Sequence, residues 1–414
     1  MEFSPYIWEL YKNSPEGQAA ISEYENLNPA EVEEKFGLNK LNFKLNDEIV
    51  AALKKNNIAI PNTDYFEFNL VEVFSFFADD ADFADIEEFT ADYQQMVQED
   101  IYVGTWDREG TFIPMVPFSN ENNWSDWLDY IENVTFGLYC TRPEFYIPYR
   151  FYGRFNILQR ICDTFDMPIP DIPIKRDKTA RHQYYADLNY AFYEFRQRHN
   201  LSPAEMCAFL YDFSVKATEP EQSKQLPEPL KAWLLIAHPL GFDMLDQVPA
   251  DTRKLWSGNV NSRPGDICVM YCKGPRSYIH SIWRAETEGF NDPFSYYHNS
   301  VNICSPILTK HVSFREMKAH PELSQTGLIR SKLQGASGKA LSVEFYETIL
   351  QMMEEKGQDI SILPRLKQRN LPDGVSLTNE RDVEENLLEP LLKHRSFPSS
   401  KTGHTILARS LLSL

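Results

Sequence analysis

The chain has 414 residues, of which 43% are hydrophobic and 13% aromatic, and its formal net charge is −19. This composition excludes an intrinsically disordered chain, and the length fits about two to four domains with packed cores. The sequence contains no apolar run of about 18 residues, no signal-like start and no C-x-x-C pair among its six cysteines. We therefore expect a cytoplasmic protein with reduced thiols and no membrane span.

The negative charge is concentrated at the start of the chain. Residues 1–150 carry a formal charge of −20, whereas residues 151–414 carry +1. Because an acidic surface repels phosphate, any nucleic-acid surface should lie in the later part of the chain. The acidic part is expected to be a solvated surface; masking of a basic surface or docking of a basic partner are the alternatives.

An acidic α+β module is predicted for residues 1–118. A proline followed by acidic residues at Asn28–Glu34 predicts a helix start, and 101–105 and 111–116 predict two strands joined by a turn. The acidic cluster Asp79–Asp85 lacks the central glycine and the final glutamate of a calcium loop. We expect a solvated loop or helix start there, with no bound metal.

A helical domain is predicted for residues 119–218. Apolar residues spaced by three and four between Phe151 and Phe165 predict an amphipathic helix, and a second helix is expected from Thr179 to Arg198. Ser202 and Glu205 form a capping box that opens a third helix, and Ser313 and Glu316 form a second one that opens a short helix later in the chain. Basic residues between 176 and 198 indicate a solvated helix face or, alternatively, a phosphate-contacting surface.

A polar, proline-containing stretch, 219–230, is predicted to be a linker to a domain at 231–357. In that domain Arg263–Asp266 is typical of a turn, and 266–272 and 278–285 predict two antiparallel strands. Together with a preceding tryptophan loop, these strands predict a small β-barrel with flanking helices. The expected fold class of the whole chain is α+β.

This domain resembles the PUA-like superfamily in its EVE branch, which is related to the YTH readers of methylated RNA adenine. The matching segments are Ala232–Ala237, Trp256-Ser257 with Asn261, Gly265-Asp266, Asp292-Pro293-Phe294, and Arg330 with Gln334-Gly335 and Gly338. The resemblance implies that a modified or flipped base is recognised in an aromatic pocket. Such a base needs flat faces to stack on and a few polar groups at its edge.

Two groups of residues are candidates for that recognition. The base-binding candidates are Trp256, Ser257, Asn261, Trp283, Tyr296 and Tyr297; the phosphate-binding candidates are Lys273, Arg276, Arg284, Arg330, Lys332 and Lys339. Trp256 is the leading candidate for a wall of the pocket. For each aromatic residue, ordinary packing in the core is the alternative, because tryptophan is mostly buried in any fold.

No catalytic constellation is evident in the sequence. H-E-x-x-H and G-x-S-x-G motifs are absent, and the loop at 334–338 lacks the lysine that ends a nucleotide-binding P-loop. We expect no catalytic residue, no metal site and no cofactor.

The tail, residues 358–414, contains one predicted helix at about 378–394. This helix resembles the opening helix of PD-(D/E)XK restriction-type nucleases, which need a later Asp and an acid-x-Lys pair to hold a catalytic metal. After Leu392 the chain contains no Asp and no Glu, so the tail is expected to be a truncated nuclease start or a docking element.

The expected function is binding of nucleic acid that carries a modified base, with DNA favoured, in prokaryotic restriction or phage defence. This setting follows from the resemblance and not from composition. One alternative is a subunit or truncated fragment of a modification-dependent endonuclease, working with a nuclease or another protein partner. The other is an acidic protein-binding adaptor.

Overall fold

The computed structural model describes residues 2–79, 85–96, 101–106, 109–119, 128–218, 225–295 and 298–367. Two compact units are distinguished by their internal contacts, Met1–Arg365 and Leu366–Leu414, and only the first two residues of the second unit are described. Three sequence-based expectations therefore lie outside the described residues: most of the acidic cluster at 79–85, the pair Tyr296 and Tyr297, and the tail helix at 378–394.

The fold is a mixture of helices and sheets. In the N-terminal half the elements are α1 Pro5–Lys12, α2 Pro15–Ser22, α3 Pro29–Phe36, β1 Leu41–Lys44, α4 Asp47–Lys55, β2 Tyr65–Phe68, α5 Leu70–Asp79, α6 Ile86–Met96, β3 Ile101–Trp106, β4 Phe112–Ser119, α7 Ile131–Thr141, α8 Phe155–Phe165, α9 Lys178–Arg198, α10 Pro203–Ala208 and, after a π-helical turn, α11 Ser214–Thr218. The predicted strand pair at 101–116 is confirmed as β3 and β4, which pair in antiparallel fashion.

In the C-terminal half the elements are β5 Ala232–Ala237, α12 Phe242–Asp246, β6 Arg253–Ser257, β7 Ile267–Cys272, β8 Tyr278–Ala285, β9 Phe290–Asn291, β10 Asn299–Ser313, α13 Phe314–Ala319, α14 Gly327–Arg330, β11 Lys339–Leu341 and α15 Val343–Glu355. None of the helices in the described ranges combines the length and the apolar character needed to cross a membrane.

Local capping chemistry sets where several helices begin. The first three helices each start at a proline that follows Ser4, Ser14 or Asn28, and each of these side chains accepts a hydrogen bond from a backbone N–H of the first turn. Proline fits the first helical position because its missing N–H would have no partner in the helix. The capping boxes predicted at Ser202 and at Ser313 are both formed.

The helical region and the N-terminal module share one hydrophobic core. A continuous cluster of buried side chains runs from Phe3 to Leu210 and also includes Phe290 and Phe294 from the C-terminal half. Helices α5 and α7 approach so closely that a Cβ on Gly137 would lie 2.6 Å from the Cβ of Phe74. Core contacts therefore join the predicted N-terminal module to the helical region, and the helical region to the C-terminal half.

The C-terminal half is built on one sheet with strand order β11-β5-β7-β8-β10-β6, and β9 pairs with β10. Strands β5 and β7 are parallel, and the other pairs are antiparallel. The expected closed barrel is not seen: within the described residues, no strand pairing joins the edge strand β6 to β5 or β11. A side chain makes that connection instead, because the indole Nε1 of Trp256 donates to the carbonyl oxygen of Ile236 at 3.2 Å.

The glycine–aspartate pair that precedes β7 has a structural explanation. Gly265 has a φ of +87°, which favours glycine, and its Cα lies so close to the backbone of Pro227 that a side chain would collide with it. The buried carboxylate of Asp266 accepts hydrogen bonds from the backbone N–H groups of Lys231 and Arg263, at 3.0 Å each, and from the indole of Trp233 at 2.8 Å. Asp266 thus fixes the start of the sheet.

Candidate functional site

A cavity of about 470 Å³ opens beside the edge strand β6. Strand β6 contributes Leu255, Trp256 and Ser257, and the end of β5 with the turn after it contributes Ile236, His238, Leu240 and Gly241. The region around β9 and β10 contributes Ser295 and Ser300, and the helical region contributes Asp129 and Tyr152. The surface is mostly apolar, with hydroxyls, one imidazole and one carboxylate as its polar groups. Such a mixture is typical of sites that take an organic ligand.

Trp256 is the largest side chain in the lining. The residue is half-buried, and its indole N–H is bonded to Ile236, which fixes the orientation of the ring. In the β6–β10 pairing Trp256 lies opposite Val301, and Ser257 lies opposite Ser300. Ser257 and Ser300 both line the cavity. A Cβ placed on Gly241 would lie 3.9 Å from Cη2 of the indole, so the backbone at Gly241 passes along the edge of the ring.

The helical region contributes a second aromatic group and a carboxylate, the only one among the described residues of the lining. The hydroxyl of Tyr152 donates to Oδ1 of Asp129 at 3.5 Å, the outer limit of a hydrogen bond. Asp129 is exposed, yet the neighbouring protein atoms displace part of its hydration, and this desolvation raises the pKa of its carboxyl. Sequence reasoning missed both residues because they lie outside the segment that carries the family resemblance.

A buried segment between β9 and β10 brings the two halves of the cavity together. The carboxylate of Asp292 accepts hydrogen bonds from the backbone N–H of Gly153 at 2.8 Å and from those of Phe294 and Ser295 at 2.9 and 3.1 Å. The guanidinium of Arg181, on α9, donates to the carbonyl oxygens of Pro293 and Ser295 at 2.8 and 2.5 Å. Tyr152 and Ser295 are adjacent to these contacts, and both therefore reach the same cavity.

Burial dominates the electrostatics of Asp292 and Arg181, which connect the two halves of the cavity. Desolvation raises the pKa of Asp292 to about 6, although three backbone hydrogen bonds oppose the shift. Desolvation also lowers the pKa of Arg181. Nearby on α7, it raises the pKa of Glu132 to about 7, against the attraction of Arg154 and Arg150.

The base-binding candidates fall into three groups. Trp256 and Ser257 form the first group, which lines the cavity. Asn261 and Trp283 form the second group, which does not: Asn261 is exposed, and its backbone N–H donates to Oδ1 of Asn259 at 2.8 Å. Trp283 is fully buried on the central strand β8 and donates to Oγ of Ser281 at 2.8 Å, so it packs in the core instead of facing the cavity. Tyr296 and Tyr297 are outside the described residues.

Two of the phosphate-binding candidates are engaged with the protein itself. The guanidinium of Arg276 holds both carboxylate oxygens of Asp246, at 2.6 and 2.5 Å. That of Arg284 donates to the carbonyl oxygens of Gly265 and Pro227, at 2.7 and 2.5 Å. Both arginines are thus held by internal contacts, which leaves them less suited to bind phosphate.

The remaining four candidates, Lys273, Arg330, Lys332 and Lys339, are exposed and form no ion pair with the described residues. Two of them lie in segments that are hydrogen-bonded to the chain next to the cavity lining. The backbone N–H of Lys273 donates to Ala237, which lies between the lining residues Ile236 and His238, at 3.2 Å. Lys339 follows Gly338, whose carbonyl accepts from Nδ2 of Asn259 at 2.8 Å.

No family model and no curated protein matches this sequence. The search of solved structures finds Rpa0253 from Rhodopseudomonas palustris, at 22% identity and a TM-score of 0.27, over 30% of this chain and 94% of that one. It also finds a hypothetical protein from Leishmania major (19% identity, TM-score 0.26, 31% and 98% of the two chains) and Atu2648 from Agrobacterium tumefaciens (16% identity, TM-score 0.27, 33% and 99%). Similarities of this size carry no functional argument.

Proposed function

We propose that this protein binds nucleic acid by taking one planar base into the cavity beside Trp256. The observation that carries the proposal is a half-buried indole, fixed by its own hydrogen bond, on the wall of an open cavity of about 470 Å³. That volume lies within the range of about 300–1,000 Å³ common for small-ligand sites. Stacking on an aromatic ring is the usual way for a protein to hold a base that has left its helix.

The polar groups of the lining suit the edge of a base. The hydroxyls of Ser257, Ser295 and Ser300 can each donate or accept a hydrogen bond, and the carboxylate of Asp129 can accept one from an exocyclic amine. The edge-strand tryptophan, the Gly265-Asp266 turn and the Asp292–Phe294 segment support a PUA-like domain of the EVE type as the setting of this cavity.

Positive charge lies on the sheet side of the site. Lys273 and Lys339 are exposed, and backbone contacts of Lys273 and of Gly338 reach segments that flank the lining, whereas the helical side contributes Asp129. A phosphate backbone should therefore cross the sheet side, where it avoids the carboxylate. We take the ligand to be DNA with a modified base, in prokaryotic restriction or phage defence, as the resemblance implies.

The test is a binding screen with fluorescently labelled oligonucleotides. Duplexes and single strands would carry cytosine, 5-methylcytosine, 5-hydroxymethylcytosine, adenine or N6-methyladenine at one central position. Trp256→Ala should weaken binding by about tenfold, since base–aromatic stacking contributes about 1–3 kcal/mol. Tyr65→Ala, which removes an exposed ring of β2 outside the cavity lining, is the matched control.

The screen can also refute the proposal. If the wild-type chain binds none of these oligonucleotides at low salt, base recognition is excluded, and a protein-binding adaptor becomes the better explanation. Equal binding by wild type and Trp256→Ala would show that any nucleic-acid affinity lies elsewhere on the surface.

A further inference from the structure

Leu240 is an exposed apolar side chain on the rim of the cavity that also contains Trp256. Its exposed fraction is 93%, and that of Tyr6, the next among the exposed large hydrophobic side chains of the described residues, is 73%. A single exposed leucine is ordinary on a protein surface, so exposure alone carries no argument. Leu240 differs from such a residue because it lies beside the cavity and because the turn that carries it is held in place.

The turn that carries Leu240 is held by short-range contacts. Pro239 restricts the backbone at the start of the turn, and the backbone N–H of Gly241 donates to the carbonyl of His238 at 2.9 Å. The imidazole Nδ1 of His238 accepts a longer hydrogen bond, 3.5 Å, from the N–H of Leu240. The turn follows strand β5 directly and leads into helix α12 without an intervening loop.

Helix α12 is fixed to the sheet at both of its ends. Phe242, its first residue, is buried in the core cluster, and the guanidinium of Arg276 lies 4.4 Å from the centroid of the Phe242 ring. At the other end, Asp246 is held by Arg276 through two hydrogen bonds and contacts Nε2 of His280 at 3.2 Å. Leu240 is thus presented to solvent on a preorganised support.

We propose that Leu240 is a wedge that enters the base stack of a duplex while the neighbouring base occupies the cavity beside Trp256. The inference rests on the function proposed above and adds that the ligand is double-stranded. When a base leaves a duplex, its former neighbours lose a stacking partner, and an apolar side chain inserted at that step replaces part of the lost contact. A single strand leaves no such gap, so a fixed, protruding leucine would gain nothing there.

Charges of both signs lie near the turn, because Asp243 is exposed in the first turn of α12. Lys273 is exposed, and its backbone is bonded to Ala237, two residues before Pro239. A cation beside the wedge can contact a phosphate next to the opened step. The carboxylate of Asp129 lines the cavity and is suited to a base edge more than to a phosphate.

The experiment compares Leu240→Ala, Leu240→Met and Trp256→Ala in the full chain. The probes are a 20-base-pair duplex with one central 5-methylcytosine or N6-methyladenine, its isolated modified strand, and the same duplex with a mismatch opposite the modified base. Leu240→Ala should weaken duplex binding by about tenfold and single-strand binding by less than about twofold. Leu240→Met, which keeps a long apolar side chain, should bind the duplex nearly as wild type does.

Two further readouts separate a wedge from a merely apolar contact. The mismatch should restore part of the affinity that Leu240→Ala loses, because an unpaired base costs less to extrude. A 2-aminopurine placed next to the modified base should brighten when wild type binds, as it loses stacking, and should brighten less with Leu240→Ala.

The outcomes are distinguishable from those that test the proposed function. Equal effects of Leu240→Ala on duplex and single strand, or no effect on either, would overturn the wedge while leaving base recognition through Trp256 intact. If wild type binds the single strand but not the duplex, the wedge is also overturned and base recognition through Trp256 remains. Absence of binding to every probe would overturn both proposals.

Discussion

The carboxylate Oδ2 of Asp292 accepts a hydrogen bond of 2.8 Å from the backbone N–H of Gly153, across 139 positions of sequence. This bond joins the segment after β9 to the segment before α8, and it places Tyr152 and Ser295 in the lining of one cavity. The site therefore depends on a buried carboxylate that lies outside the cavity lining.

Replacement of Asp292 by Asn should destabilise the protein. The amide retains one acceptor oxygen but directs an NH₂ group at donors that now have no partner, in a fully buried position. We expect a loss of about 3 kcal/mol in the free energy of unfolding, measured by urea denaturation. Asp251→Asn, at an exposed turn, is the control, and an equal effect of both changes would contradict the role of Asp292.

The stability contributed by Glu132 should depend on pH. Its folded-state pKa is raised to about 7 from 4.5, so the folded state binds more protons than the unfolded state between these values. The contribution is therefore fully present below about pH 4.5 and decreases as pH rises to about 7. Asp292, with a pKa raised to about 6, acts in the same direction.

The prediction for Glu132 is measured as the difference in the free energy of unfolding between wild type and Glu132→Gln. The imidazoles of His199, His280 and His311, whose pKa values are lowered by burial, gain stability with rising pH and oppose the trend. The free energy of unfolding of wild type minus that of Glu132→Gln cancels their contribution. This difference should fall from pH 4.5 to 7, and a flat or rising difference would contradict the prediction.

Gly338 should be far less tolerant of substitution than Gly335. Both have a positive φ, +74° and +60°, but a Cβ on Gly338 would lie 2.4 Å from the carbonyl oxygen of Gly258, whereas a Cβ on Gly335 would meet nothing within 4 Å. Gly335→Ala should cost about 1 kcal/mol in unfolding free energy through backbone strain. Gly338→Ala should cost about 1–3 kcal/mol more, through collision with the backbone next to Ser257.

Thermal denaturation of the two glycine variants provides the comparison. Because Gly338 packs against the segment that follows Trp256, its variant should also lose affinity for oligonucleotides, and Gly335→Ala should keep it. Similar melting temperatures for both variants would show that a side chain at Gly338 does not collide with the backbone of Gly258.

Asp129→Asn should change base preference. A carboxylate accepts hydrogen bonds from the exocyclic amine of cytosine or adenine, and an amide offers one acceptor less. We expect affinity for amine-bearing bases to fall by about tenfold, and affinity for thymine-containing probes to stay the same. Tyr152→Phe, which keeps the ring and loses only the hydroxyl near Asp129, should bind as wild type does. A uniform gain for all probes would mean that Asp129 acts only by repelling phosphate.

The salt dependence of binding should separate the candidate cations. Lys273→Gln and Lys339→Gln should each reduce the slope of log K against log salt by about 0.9, if each removes one phosphate contact. Arg284→Gln should instead lower the free energy of unfolding, because its guanidinium holds the backbone at Gly265 and Pro227. Lys54→Gln, an exposed change on α4, should alter neither quantity. Unchanged slopes in both sheet-side variants would place the phosphate contacts elsewhere.

Features encoded by local chemistry could be predicted from the sequence. The capping boxes at Ser202 and Ser313, the turn at Gly265 and the strand pair at 101–116 depend on neighbouring residues, and all are present. The pairing of a tryptophan with a following serine at Trp256-Ser257 also led to two residues that line the cavity.

The difference between Trp256 and Trp283 could not be predicted. Both are tryptophans on strands of the same sheet, but β8 is central and covered by neighbours on each side, whereas β6 is an edge strand. Burial of Trp283 and partial exposure of Trp256 follow from strand order, which a pattern of apolar residues does not encode.

The open sheet and the second wall of the cavity were likewise decided by the tertiary structure. A period of alternating apolar residues determines that strands form, and capping residues determine where helices begin. Whether the edges of a sheet meet depends on the pairing of distant strands. The arrival of Tyr152 and Asp129 at the cavity depends on long-range contacts such as the hydrogen bond between Asp292 and Gly153 and those of Arg181 with Pro293 and Ser295. Contacts over such separations in sequence leave no periodic signal, so only the folded chain shows them.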